Sequence, residues 1–182
     1  MTQQNQPRLP HQRRTIEAIA HQVIRDRARE YEPELRVVSG SFFASRQVRK
    51  RTIDSVVVGG SGIAPNGVDA VTGALVVQTV LVVLQAVATD TASDLIRAGT
   101  GNVFRRWWTA RKLAGKGVTA TADVPELSSS EAKAVGELVS DLLVKSGENR
   151  DKADTIAIAL ASFLSADVRR LHQAADGDTD SR

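Results

Sequence analysis

The sequence predicts a mainly α-helical protein, on three observations. An uncharged run, residues 70–89 (AVTGALVVQTVLVVLQAVAT), lies between Asp69 and Asp90 in a 182-residue chain of which 25% is charged. On both sides of it, apolar residues recur at the spacing of one helical face, most clearly over residues 16–31, 132–143 and 153–171. Hydrophobic residues make up 42% of the chain but aromatics only 4%, so the core is assembled from Ala, Val, Leu and Ile, side chains that let helices approach closely.

The predicted arrangement is a central long apolar helix over about 68–97, an amphipathic N-terminal helix, a short Trp/Arg helix and a C-terminal antiparallel helical hairpin, with two or three short strands. The chain divides into a flexible tail (1–12), a basic helical region (13–117), a linker (118–129), the hairpin (130–174) and an acidic tail (175–182).

The central run matches a helix because its 20 residues are too many for one ordinary strand. That is also about the length that crosses a hydrocarbon core. Val76, Val77, Val80, Leu81, Leu84, Val87 and Ala88 form one stripe; Gln78 and Gln85 lie on the other, weakly polar side, which Val71, Leu75, Val82 and Val83 interrupt. Such a helix is either embedded in lipid or buried nearly all round, and both readings stay open here. Its expected packing residues are Gln78 and Gln85, as hydrogen-bonding groups, and the small pair Ala70 and Ala74.

Before the run, Ile16, Ile19, Ala20, Val23, Ile24, Ala28 and Tyr31 mark an amphipathic helix that enters near Thr15 and ends at Pro33. Residues 35–38 (LRVV) and 52–58 (TIDSVVV) are β-branched and bounded by SGS and GGSG, which predicts strands, with a short helix between them. That intervening segment holds the basic cluster Arg46, Arg49, Lys50 and Arg51, a phosphate or headgroup contact, or simply a solvated face.

After the run, Asn102 caps a short helix that ends at Gly115 or Gly117. It carries both tryptophans, Trp107 and Trp108, among Arg105, Arg106, Arg111 and Lys112. Indole rings beside long basic side chains fit first an interfacial membrane anchor or a partner contact, second a core tryptophan with its neighbour exposed, and third base stacking with phosphate contacts. Finally, Ser130 and Glu131 open the first hairpin helix, Gly147 closes it, and the second begins near Arg150. Each hairpin helix carries an apolar stripe wider than its partner covers, so the pair must dock on other helices or another chain.

Charge is uneven. Residues 1–117 hold 17 Lys and Arg against 9 Asp and Glu, a net +8, whereas residues 118–182 hold 7 against 12, a net −5. A basic half suits anionic lipid or nucleic-acid phosphate. Without Cys there is no disulfide, thiolate metal site or cysteine nucleophile. His11, His21 and His172 have no second ligand at metal spacing, and no metal or cofactor is expected. The glycine turn Gly60–Ser61–Gly62 departs from the dinucleotide-binding pattern, because the third small position falls on Pro65 and no acid follows at the required distance.

No catalytic constellation, and no small-molecule substrate, is evident. The expected function is therefore a non-enzymatic, membrane-associated helical adaptor or scaffold that makes protein contacts or self-associates, in the cytoplasm or on the cytoplasmic face of a membrane. The alternative is a soluble oligomeric helical domain whose basic half binds an acidic partner or nucleic acid.

Overall fold

A computed structural model describes residues 14–58, 68–99 and 103–165. Among the described residues there are eight α-helices: α1 (Ile16–Arg27), α2 (Glu32–Ala44), α3 (Arg46–Val58), α4 (Val68–Ala88), α5 (Ala92–Gly99), α6 (Val103–Gly115), α7 (Ser129–Lys145) and α8 (Arg150–Leu164). The expected tails and the glycine turn lie outside the described residues.

No strand occurs among the described residues, only two isolated bridges, Thr15 with Asp123 and Leu127 with Ser165. The strands expected at 35–38 and 52–58 are helical, within α2 and α3. In α2, Leu35, Ser39 and Phe42 are buried; in α3, Arg49, Thr52, Ile53, Val56 and Val57 are. Both sets have helical spacing, and burying a whole stripe outweighs a β-propensity that amounts to about 1 kcal/mol across its full scale. Pro33 does not end α1 either. That helix stops at Arg27, a 3-10 turn spans Arg29–Tyr31, and Pro33 lies in the first turn of α2, where its missing N–H has no helical partner to lose.

The apolar run forms α4, the centre of the fold, packed against α1, α2, α3, α5 and α7. Val76, Val77, all five residues 80–84, Ala86 and Val87 are buried, so no side of this stretch is left to face lipid. No helix among the described residues is long and apolar enough to cross a membrane. Of the two readings of the run, the one observed is the helix wrapped by its own chain.

The single helix expected over 68–97 is broken in two. Asp90 takes a left-handed conformation (φ 55°), its N–H bonds to the Val87 carbonyl at 3.2 Å, and the Thr91 N–H reaches back to Ala86 at 2.8 Å. This pair of bonds is a Schellman motif, which closes a helix and re-aims the chain. Asp tolerates the left-handed region less well than Gly. Asp90→Gly is therefore expected to stabilise the protein by about 0.5–1 kcal/mol, read as a raised urea midpoint at unchanged slope.

Residues 118–127, expected as a linker, are hydrogen-bonded to two helix ends. The Ile16 and Glu17 N–H groups at the start of α1 donate to the carbonyls of Ala122 and Ala120 (both 3.1 Å), Val124 donates to Arg14 (2.7 Å), and Leu127 donates to Leu164 (2.9 Å). The strap thus satisfies donors that a helix start leaves orphaned. Arg14 completes the join. Its guanidinium pairs with Glu126 at 2.7 Å and donates to the last carbonyls of α8, Phe163 at 2.9 Å and Leu164 at 3.4 Å, where positive charge complements the helix dipole.

The hairpin is α7 and α8, docked on α4 and α1. A capping box at Ser128 and Glu131 starts α7 one residue earlier than expected from Ser130. Gly147, at φ 95°, ends it, and the Asn149 side chain caps α8 through the Asp151 N–H at 2.8 Å. Gly136 lets the two helices touch: a Cβ there would stand 3.2 Å from Ala161 Cβ and 3.3 Å from the Ala157 carbonyl oxygen.

Candidate binding face

Helix α6 is amphipathic. Thr109, Ala110, Leu113 and Ala114 are buried, while Arg105, Trp108, Arg111 and Lys112 are exposed. At 100° per residue, Arg105, Trp108 and Lys112 fall within a 60° arc, so the row follows from spacing alone. Trp108 keeps 60% of its surface exposed. The Trp107 side chain lies outside the described ones.

Beside this row runs α5, in contact with α6. Between the two helices lies an open cleft of about 290 Å³ lined by Asp94, Arg97, Arg105, Trp108, Thr109 and Lys112. Asp94 and Lys112 form an ion pair across it. The indole of Trp108 and the buried Thr109 are also among its lining residues.

The other expected site residues separate. Arg106 turns toward α3, where Nε donates to the Val57 carbonyl at 2.8 Å and so caps that helix. The basic cluster does not act as one patch. Arg49 is buried, with Nη1 3.5 Å from the Val118 carbonyl; Lys50 pairs with Asp54 at 2.7 Å; Arg46 and Arg51 are exposed on α3. Positions 46, 49, 50 and 51 cannot share one face of a helix, and an extended strand would have grouped them differently.

Gln85 is fully buried, and Nε2 donates to the carbonyls of Leu113 and Lys116 at 3.1 and 3.3 Å, which fastens the C-terminal end of α6 to α4. Gln78 is only half-buried. Ala74 is half-buried, and the Ala70 side chain lies outside the described ones. The close approach in this part of α4 is made by Gly73 instead, where a Cβ would come within 2.8 Å of the Tyr31 ring.

Tyr31 belongs to a cluster that spacing did not reveal. Its hydroxyl donates to Glu148 at 2.9 Å and accepts from Lys152 Nζ at 2.6 Å, and that ammonium lies 3.9 Å from the ring centroid. Lys152 also pairs with Glu30. Hydrogen bonding from Lys152 holds the Glu30 carboxyl below its ordinary range, and burial pushes the Tyr31 hydroxyl up. Burial by itself would lower Lys152, but its bonds to Glu30 and Tyr31 prevail and hold it above the usual lysine value. Both Lys152 and Tyr31 keep their protons at neutral pH, and the cluster ties the turn before α2 to the start of α8.

Among the described residues no group of three or more His, Cys, Asp or Glu is placed to hold a metal ion. No protein-family model, curated protein or solved structure matches this chain.

Proposed function

We propose that the chain is a non-enzymatic helical adaptor that docks peripherally on an anionic membrane surface through α6 and leaves the α7–α8 hairpin to meet a protein partner. One observation carries the reading: Trp108, 60% exposed, stands in the middle of the row Arg105, Arg111 and Lys112 on a helix whose other face is buried. An indole settles at headgroup level, and the long basic side chains around it reach the phosphates. Each Lys or Arg near such a surface contributes on the order of 1 kcal/mol, an attraction that salt screens. With α4 enclosed by its neighbours, docking relies on this face and is reversible. On the hairpin, Ile158 of α8 is 67% exposed and offers an apolar contact for a partner.

Cosedimentation with phosphatidylcholine vesicles, with and without phosphatidylserine, tests the reading. Binding is expected only to the anionic vesicles, to weaken as salt rises, and to drop at least about tenfold when Arg105 and Arg111 are both changed to Glu. Protein that stays in the supernatant with both kinds of vesicle at low salt would overturn the membrane reading and leave an acidic protein or nucleic acid as the partner.

A further inference from the structure

One buried cation is left by the fold without a counter-charge. Arg49 lies on the packed side of α3 with 7% of its surface exposed. A guanidinium so placed ordinarily has a carboxylate and several hydrogen bonds, because taking the charge out of water is costly unless it is paired. Among its five N–H donors, the guanidinium of Arg49 makes one hydrogen bond, from Nη1 to the Val118 carbonyl at 3.5 Å, the long limit of such contacts, and Nε is enclosed with no acceptor. No carboxylate among the described residues pairs with it. Arg14, whose Nε likewise has no acceptor, still has Glu126 as its counter-ion, and Arg106 donates from Nε at 2.8 Å.

The elements around Arg49 have no acid to give it. Residues 35–53 hold five Arg and Lys and no Asp or Glu, and residues 95–122 hold six and none. These two acid-free stretches meet where α3 packs against α6. Asp54, further along α3, is paired with Lys50. Nor is Arg49 needed at the end of α6, where the carbonyls of Leu113 and Lys116 accept from Gln85. Its surroundings add positive charge instead. Arg46, one helical turn earlier on α3, and Lys116, two residues before Val118, are both exposed, and neither is ion-paired among the described residues.

We infer that Arg49 is the centre of a site for a small oxyanion of the phosphate class, where the first turn of α3 meets the loop after α6, with Arg46 and Lys116 adding charge beside it. The oxyanion replaces the long bond to Val118 and is held by two parallel N–H donors of the planar guanidinium, the geometry in which arginine matches phosphate oxygens. Three cations with no carboxylate among them favour a multiply charged anion over a halide. With 93% of Arg49 covered, the approach admits a small ion from solution and not a bilayer or a protein surface. The site therefore stands or falls independently of the membrane-docking reading.

Thermal melts of the full chain, titrated with inorganic phosphate against sodium chloride of equal ionic strength, test the site. The expected result is a saturable rise of the melting temperature with phosphate and none with chloride. Arg49→Met keeps a long apolar stem without the charge and should lose the phosphate-dependent rise. Arg49→Lys keeps the charge without the fork and should bind phosphate about tenfold more weakly. Lys116→Gln, at an exposed position, provides the test if the Arg49 variants do not fold: it should weaken phosphate affinity about two- to fivefold with an unchanged melt in chloride, and an unchanged affinity would count against the site. Identical melts of the parent in phosphate and chloride overturn it, as does a phosphate-dependent rise that survives in Arg49→Met. A parent indifferent to phosphate whose Arg49→Met variant is less stable would make Arg49 a backbone cap for Val118 and nothing more.

Discussion

Leu84→Ala is expected to lower the unfolding free energy by about 3–5 kcal/mol, in the upper part of the range for large-to-small changes in cores. Leu84 is fully buried in α4, between Val83 and Gln85, which are buried as well. Removing its branched end withdraws apolar surface from the interior and leaves a cavity that close-packed neighbours cannot collapse to fill. For a domain whose whole stability is of order 5–15 kcal/mol, that is a large fraction, and the melting temperature should fall by roughly 10 °C or more. The measurement is urea unfolding followed by circular dichroism in detergent-free buffer. A leucine on a lipid-facing helix would behave differently, since its central position contributes only about 0.5 kcal/mol to insertion. A loss below about 1 kcal/mol would therefore show that α4 is not wrapped by the other helices.

The same contrast explains what could be read along the chain and what could not. Helices α1, α7 and α8 were legible because their buried residues repeat at helical spacing and because Thr15 and Gly147 mark the start of α1 and the end of α7; the Ser128–Glu131 box and the Asn149 cap went unread. The end of α4 was not legible, because its terminator is an aspartate in the conformation glycine usually supplies, and nothing around Asp90 advertises that. Helices α2 and α3 were misread for a related reason. Val37, Val38, Val56, Val57 and Val58 favour strands locally, and only contact with α4 and α6 reveals that a helical face is being covered.

The binding face divides along the same line. Arg105, Trp108, Arg111 and Lys112 share a helix, so their spacing alone aligns them. Arg97 and Asp94 join them only because α5 folds back beside α6, and that return depends on the turn at Asp90. Arg106 and Arg49 carry the same charge as their neighbours but point at carbonyls of Val57 and Val118. Composition marks a residue as cationic, whereas its angular position decides whether the charge meets a partner or caps the protein's own backbone.

Substituting Gly136 should separate two effects of opposite sign within one hairpin. Alanine there gains about 1 kcal/mol of helix propensity over glycine. Its Cβ, however, would stand 3.2 Å from Ala161 Cβ and 3.3 Å from the Ala157 carbonyl oxygen, so α7 and α8 must give by a few tenths of an ångström. The two contributions nearly cancel, and Gly136→Ala is expected to change stability by less than about 1 kcal/mol. Leucine gains the same propensity but cannot be accommodated by so small a shift. It must push α8 away from α7, opening the packing around Val139, Leu143, Ala157 and Leu160, all buried at this interface or beside it. Gly136→Leu is therefore expected to cost about 3 kcal/mol. The discriminating measurement is a double-mutant cycle by urea unfolding. Ala161→Gly removes the Cβ that the substituted residue meets first, so it should recover about 0.5–1 kcal/mol in the Gly136→Ala background relative to its effect in the parent. Additive behaviour, with Gly136→Leu costing no more than Gly136→Ala, would mean that the helices are not held in contact at this position.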